Sequence, residues 1–362
     1  MISNKIKPIA IYLPQFHPIP ENDEWWGKGF TEWTNVTKAT PLFEGHYQPH
    51  LPADLGFYDL RLEEARLAQE HLAKENGIYG FCYYHYWFNG KRILNEPLDR
   101  KLKNSKEDFP FMLCWANETW SRRWLGEEKE ILIEQTYSHE DDLKHIQWLI
   151  SVFKDPRYIK VNDRPVFVFY RPRQMPDINK TITIFREECR KNGLKTPYLV
   201  ASNSHSIKDH TDVGFDDILN FQPQLSVLPN AFNDDKSIRK IFANLFFGVF
   251  NAKLKIYDYK HAKKLMKKKF DYNYIPCAFV GWDNTSRRGN NGIIIKNQDV
   301  NIFSKGIQQD IDEVLDQKRN EESRFIFINA WNEWAEGNHL EPDSKKRLAY
   351  LSSLKQLLQN YV

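Results

Sequence analysis

Two glutamates three residues apart, Glu333 and Glu336, stand in the run NAWNEWAEGNHLEPD at residues 329–343. If the chain turns helically there, side chains at that spacing share one face, with Cβ atoms about 5 to 6 Å apart, and can address one ligand. Two carboxyls crowded in a partly desolvated cleft do not both ionise easily, so one keeps a proton near neutral pH while the other stays anionic. Cleavage of a glycosidic bond needs that division into an acid and a base. The competing reading is a pair of exposed glutamates favoured by a helix N-terminus. The neighbouring Trp331, Asn332 and Trp334 weigh against it, because sugar rings stack on broad aromatic faces and bond to amides.

Three further runs could join this chemistry. CWANETWSRRW at residues 114–124 offers Trp115, Asn117, Glu118, Arg122 and Trp124; its arginines suit paired hydrogen bonds to carboxylate or phosphate, or else an ion pair that ties down a loop. GWDNTSRRG at residues 281–289 groups Trp282, Asp283, Asn284 and Arg287, as a specificity loop or as a turn. In FCYYHYWFNG at residues 81–90, alternation points Tyr84, Tyr86 and Phe88 one way and Tyr83, His85 and Trp87 the other. One set packs against helices, and His85 and Trp87 are the candidates for the substrate. Tyr12, Gln15, Trp33 and Gln222 complete the candidate set. No second and third ligand stand at metal spacing from His85, so neither a metal nor any other cofactor is expected.

The elements that must hold these residues follow a simple rhythm. Eight short apolar or aromatic runs fall at residues 9–13, 79–86, 111–115, 166–170, 198–202, 218–222, 277–282 and 325–330, separated by stretches with helical spacing at 60–75, 140–153, 179–191, 259–270, 301–318 and 344–359. That alternation predicts parallel strands with crossover helices, and eight is the number of a closed (β/α)₈ TIM barrel of the α/β class. An open doubly wound sheet is disfavoured, since no tight glycine-rich turn follows the first run. In a barrel, polar residues just after each strand line the site, and most of the candidates above stand there. Two long insertions are expected in a single domain spanning 1–362, at about 14–56 and 235–269; the second carries the basic run KHAKKLMKKKF, read as a solvated helix face or a contact for an anionic partner.

Composition narrows the partners. Lys and Arg number 51 against 48 for Asp and Glu, so no general pull toward nucleic acid is expected. Aromatic residues reach 14 %, with 11 tryptophans, many in polar surroundings such as EWWGKGFTEW. Cys82, Cys114, Cys189 and Cys277 lie far apart without a CxxC pattern, which suits free buried thiols and a reducing compartment. The first residues show neither a secretory apolar core nor a spanning helix, so a soluble, cytoplasmic protein without stable membrane insertion is expected.

Taken in order, IAIYLPQFHPIPENDEWWGKGFTEWTNV, GFCYYHYWFNGKRILNEPL, FMLCWANETWSRRW and INAWNEWAEGNHLEPD resemble the bacterial WbsX-like glycosyltransferases, also described as glycoside hydrolase family 99-like. The resemblance spans nearly the whole chain and implies a (β/α)₈ barrel related to endo-α-mannosidases and tied to surface-polysaccharide loci. NEWAEG at residues 332–337 is similar to the Asn-Glu-Trp-His-Glu-Gly signature of those mannosidases, with Ala335 in place of His. The match implies that Glu333 acts on a sugar 2-hydroxyl and Glu336 is the general acid/base, through a 1,2-anhydro sugar with net retention. The departure at Ala335 puts mannose specificity in doubt. Three functions remain open: a retaining hydrolase or transglycosylase on bacterial polysaccharide or its lipid-linked precursor, a glycosyltransferase of O-antigen or capsule assembly, and a glycan-binding barrel without catalysis. A nucleotide-sugar transferase would more commonly show a Rossmann fingerprint or an Asp-x-Asp metal motif, and neither is evident.

Overall fold

Runs that are apolar on both faces pair in parallel because each face is covered, one by the barrel interior and one by helices. The computed structural model describes residues 6–122, 127–204, 213–229, 231, 254–268 and 270–361. Each of the eight apolar runs forms a strand: β1 (Lys7–Tyr12), β2 (Gly80–Phe88), β3 (Phe111–Trp115), β4 (Arg164–Phe169), β5 (Tyr198–Ser202), β6 (Asp217–Asn220), β7 (Ile275–Phe279) and β8 (Phe325–Asn329). Neighbours in this order pair in parallel, and β1 pairs with both β2 and β8, so the sheet closes. Ala10, for example, lies opposite Phe81 on one side and Ile328 on the other. The molecule is a (β/α)₈ barrel.

The helices are α1 (Pro20–Trp26), α2 (Glu32–Lys38), α3 (Glu63–Glu75), α4 (Glu96–Lys103), α5 (His139–Phe153), α6 (Ile178–Lys191), α7 (Tyr259–Met266), α8 (Thr285–Arg288), α9 (Val300–Asp316) and α10 (Ala349–Leu358). Their starts have chemical causes: Ser138, Asp177 and Asp299 each accept a hydrogen bond from the backbone three residues on, capping α5, α6 and α9. Along α5, Ile146, Leu149, Ile150 and Phe153 recur at helical spacing and are buried against the barrel. The long segment after β1, expected as a loop, contains α1 and α2. Each has only seven residues, too few to display a helical period, and the reciprocal cap of Thr31 and Thr34 starts α2. Most of the second insertion lies outside the described residues; its basic run opens with α7, which packs beside a small sheet of Lys255–Asp258, Ile293–Lys296 and Trp282–Asp283.

All four cysteines are free and buried. Among the described residues, no helix is long and apolar enough to cross a membrane.

Gly80 opens β2 where a Cβ would stand 2.7 Å from the Pro110 carbonyl oxygen and 2.8 Å from Ile159 Cδ1. Backbone on a barrel strand has little freedom to yield. Gly80→Ala should therefore cost about 1–3 kcal/mol through overpacking, read as a lower urea midpoint with an unchanged slope.

Candidate active site

The site is assembled at the mouth formed by the C-terminal strand ends. β8 runs on through the short strand Asn332–Glu333 into a single 3₁₀ turn, Trp334–Glu336, closed by Gly337 in the left-handed region at φ 56°. A Cβ on Gly337 would sit 3.1 Å from Asp283 Cβ, so glycine answers both the backbone angle and the close approach. Asn332, fully buried, anchors the start of this turn: its Oδ1 accepts from the Leu13 amide at 2.8 Å and its Nδ2 donates to the Leu13 carbonyl at 3.0 Å. The one-turn helix α8 braces the other side, where Ser286 Oγ donates to the Ala335 carbonyl at 2.5 Å.

These supports bring Glu333 and Glu336 onto one guanidinium. Arg287 Nη1 donates to Glu336 at 2.7 Å, Nη2 reaches Glu333 at 3.4 Å, and Nε donates to Glu32 at 2.9 Å. Arg287 and Glu32 have side chains 8 % and 0 % exposed, against 20 % for Glu336, so solvent does little to relieve the crowding of three carboxylates on one cation. Burial first, and then the adjacent Glu336, push Glu333 well above the usual carboxylate range despite Arg287. Burial also raises Glu336, against the pull of Arg287 and with Glu32 and Glu118 adding to the rise. Arg287, which opposes the rise of both carboxyls, lies closer to Glu336 than to Glu333. The same three carboxylates keep Arg287 firmly charged although burial opposes it.

Glu32 was not among the sequence candidates. It occupies the first position of α2, where an acidic residue reads as an ordinary partner of the helix N-terminus, and its amide donates to the Gln15 carbonyl at 3.0 Å. Its Oε2 and the Nε2 of Gln15 are buried and meet no hydrogen-bond partner among the described residues, as groups awaiting a ligand or water would. Tyr84, Tyr86 and Tyr170 surround the cluster: charge on Glu333 is felt at Tyr84 and Tyr86, and charge on Glu336 at Tyr170. Beside it opens a cleft of about 470 Å³ bounded by Trp26, Trp120, Glu118 and Arg171. Glu118 pairs with Arg171 and also raises Glu336, so cleft and carboxylates adjoin.

Residues 8–354 match the family described as Glycosyltransferase WbsX. The chain belongs to that family. It is 40 % identical over 352 residues to the uncharacterized protein WxcX of Xanthomonas campestris pv. campestris, in strains B100 and ATCC 33913 alike, and covers 49 % of that protein with 97 % of its own length. The chain thus spans about half the length of the curated relatives it matches. Among solved structures, a glycoside hydrolase-like protein superposes with a TM-score of 0.60 at 12 % identity, covering 99 % of this chain and 95 % of its own. A family 99 endo-α-mannosidase from Bacteroides thetaiotaomicron superposes at 0.56 with 13 % identity, covering 98 % and 97 %. At these identities the likeness is one of fold.

Several other candidates have different employment. His85 and Trp87 point outward to α5: the His85 ring bonds His145 at 2.9 Å and stacks on Trp148, while Trp87 Nε1 donates to Asp141. Burial pushes His85 down to about 3, so it stays neutral. Alternation had left two faces, and the inner one belongs to Tyr84 and Tyr86. Tyr12 also turns outward and donates to Gln69 of α3 at 2.7 Å. Trp115 packs on His145 and Phe169. Asn117 ties Tyr137 to the Arg171 backbone. These five are parts of the frame: four lie on the outer faces of barrel strands, and Asn117 joins the loops that follow β3 and β4.

Trp33 and Trp334 contact each other beside the 3₁₀ turn, and Trp334 Nε1 donates to Glu341 at 2.6 Å. Asp283 accepts from His46 and Thr285, which overcome the effect of burial and hold its carboxyl low. Asn284 accepts from the Ile293 amide, and the Gln222 side chain accepts from Gln224. Trp282 is half-buried on the small sheet, with Nε1 meeting no partner among the described residues. The Arg122 side chain and Trp124 lie outside the described residues.

The crowding has a measurable signature. A carboxyl whose folded pKa is raised adds stability that is complete below its unfolded value of about 4.3 and is lost as pH rises through the folded value. Glu333→Gln removes that loss. Its melting temperature should match that of the parent near pH 4 and exceed it increasingly toward pH 8, followed by circular dichroism; a constant offset across that range would show that Glu333 is not strained.

Proposed function

We propose that the chain is a carbohydrate-active enzyme that breaks or transfers a glycosidic bond of a bacterial polysaccharide or its oligosaccharide precursor. Glu333 and Glu336 carry the proton transfers. One observation bears most of the weight: two carboxylates share Arg287 at the barrel mouth, where burial raises both and the adjacent Glu336 adds to the rise of Glu333. Family membership supports the substrate class, and Trp26 and Trp120 offer flat faces for sugar rings in the adjoining cleft.

In the division of roles that the resemblance implies, Glu336 protonates the departing oxygen and Glu333 draws the proton from the 2-hydroxyl, whose oxygen closes on the anomeric carbon. Water or a sugar hydroxyl then opens the anhydro ring, with Glu336 acting as base. In this reading the acid step needs the proton on Glu336, so binding must place it there. A substrate hydroxyl that displaces Arg287 from Glu336 would do this. Arg287 can swing its weight toward Glu32 and Glu333 without leaving the site. The family description favours a second reading, in which the acceptor is a sugar hydroxyl and the reaction is synthesis.

Glu336→Gln should lower turnover of the natural glycan by roughly 10² to 10⁴ through lost acid help, yet retain much of kcat/KM on aryl glycosides, whose leaving group needs no proton, while kcat falls because ring opening loses its base. Glu333→Gln should be slow on both. If Glu333→Gln alone is rescued by the aryl substrate, the two roles are exchanged; if both variants turn over glycan at the parent rate, the catalytic reading fails. Calorimetry with nucleotide sugars, with and without Mn²⁺, separates synthesis from hydrolysis, since only a transferase using them should bind.

A further inference from the structure

Behind the catalytic turn, three donors from distant parts of the chain meet in the interior. His50 Nδ1 and His339 Nε2 lie 2.9 Å apart, and Asp343 Oδ2 lies 4.0 Å from His339 Nε2. All three residues are buried, at 6 %, 6 % and 4 % exposure, and their ligand atoms fall within 4.8 Å of one another. A cavity of about 30 Å³ bounded by all three is large enough for one ion or water.

We infer that His50, His339 and Asp343 form a structural site for a divalent transition metal of the Zn²⁺ class, joining the segment after β1 to the segment after β8. The inference is independent of the reaction proposed above. Two imidazoles and a carboxylate are an established zinc donor set, with water as the fourth ligand.

The surroundings are those of ligands already oriented. His339 Nδ1 lies 2.9 Å from the Glu341 carbonyl oxygen. Donation to that carbonyl leaves the Nε2 lone pair facing the site, as the outer partners of metal-bound histidines do. Trp334 stacks on His339 at 3.8 Å and Tyr47 stacks on His50 at 4.2 Å, so neither ring turns freely. Asp343 Oδ1 accepts from the Lys345 and Lys346 amides, which aims Oδ2 inward.

Bonds of about 2.0 to 2.1 Å in a tetrahedral site put donor atoms about 3.3 Å apart. The histidine pair would open by about 0.4 Å, and the Asp343 carboxylate would close on His339 by about 0.7 Å. Binding displaces the proton that the two imidazoles share at 2.9 Å; His50 then carries its proton on Nε2.

The test uses untagged full chain, so that no added histidines bind metal. Metal content as purified is read by mass spectrometry, and chelator-treated protein is titrated with Zn²⁺ and with Co²⁺. The expected result is one equivalent per chain at micromolar concentration, a visible Co²⁺ spectrum of a site with nitrogen and oxygen ligands, and a melting temperature raised by several degrees. His50→Gln and Asp343→Asn should each weaken uptake at least about tenfold. No stoichiometric uptake by the parent chain, or uptake unchanged in both variants, would overturn the assignment. Because the parent measurement can itself fail, a poorly folded variant does not protect the idea.

Discussion

Arg287 is shared by more negative charge than it can neutralise. Glu32, Glu333 and Glu336 all bond to its guanidinium, and the group is shielded from solvent. Fully ionised, the cluster would carry an excess charge that a low-dielectric interior penalises heavily. The least costly resolution is a proton retained by one glutamate. Burial raises both Glu333 and Glu336 for this reason. The planar fork of an arginine suits this task better than a lysine could, since three separate nitrogens face three separate carboxylates.

Holding such a cluster together requires a stiff surround, and the architecture supplies it from four directions. Asn332 fastens the end of β8 to the β1 backbone, α8 presses on the 3₁₀ turn from one side and α2 from another, and Asn338 accepts from the Val280 and Gly281 amides. The segment after β1 reaches across to the segment after β8 through backbone bonds such as Ala53 to Pro342 and Ser344 to Leu51. Residues far apart in sequence thereby converge without any one loop having to be rigid alone. This is how a closed barrel turns loop residues into a fixed constellation.

The eight strands were legible because buried parallel strands write themselves as short apolar runs, and 325–330 or 111–115 needs no partner to be read. The glutamate pair was legible because three residues in one tight turn keep both side chains on one side. Arg287 was legible only by position after a strand, while Glu32 was hidden: in its own helix it looks like an ordinary first-turn acid, and its meaning comes from an arginine 255 residues away. The tyrosines of β2 show the same limit from the other side. Alternation separates Tyr84 and Tyr86 from His85 and Trp87, but only the position of α5 says which pair faces the barrel interior.

Polarity misled at His85 because buried polar groups are satisfied wherever a partner exists, and His145 and Asp141 satisfy this face of β2. The reverse holds at the mouth. Glu32 Oε2 and Gln15 Nε2 are among the buried atoms that meet no partner among the described residues, whereas Asn117 and Asn332 are tied to backbone on neighbouring loops. What sets these two apart is their position, since Glu32 also bonds Arg287 and its amide donates to the Gln15 carbonyl. A ligand rich in hydroxyls, bonding as donor to Glu32 and as acceptor from Gln15, meets both demands with one kind of group. Sugar hydroxyls do both at once, which is why the polar pattern and the carboxylate pair argue for the same class of substrate.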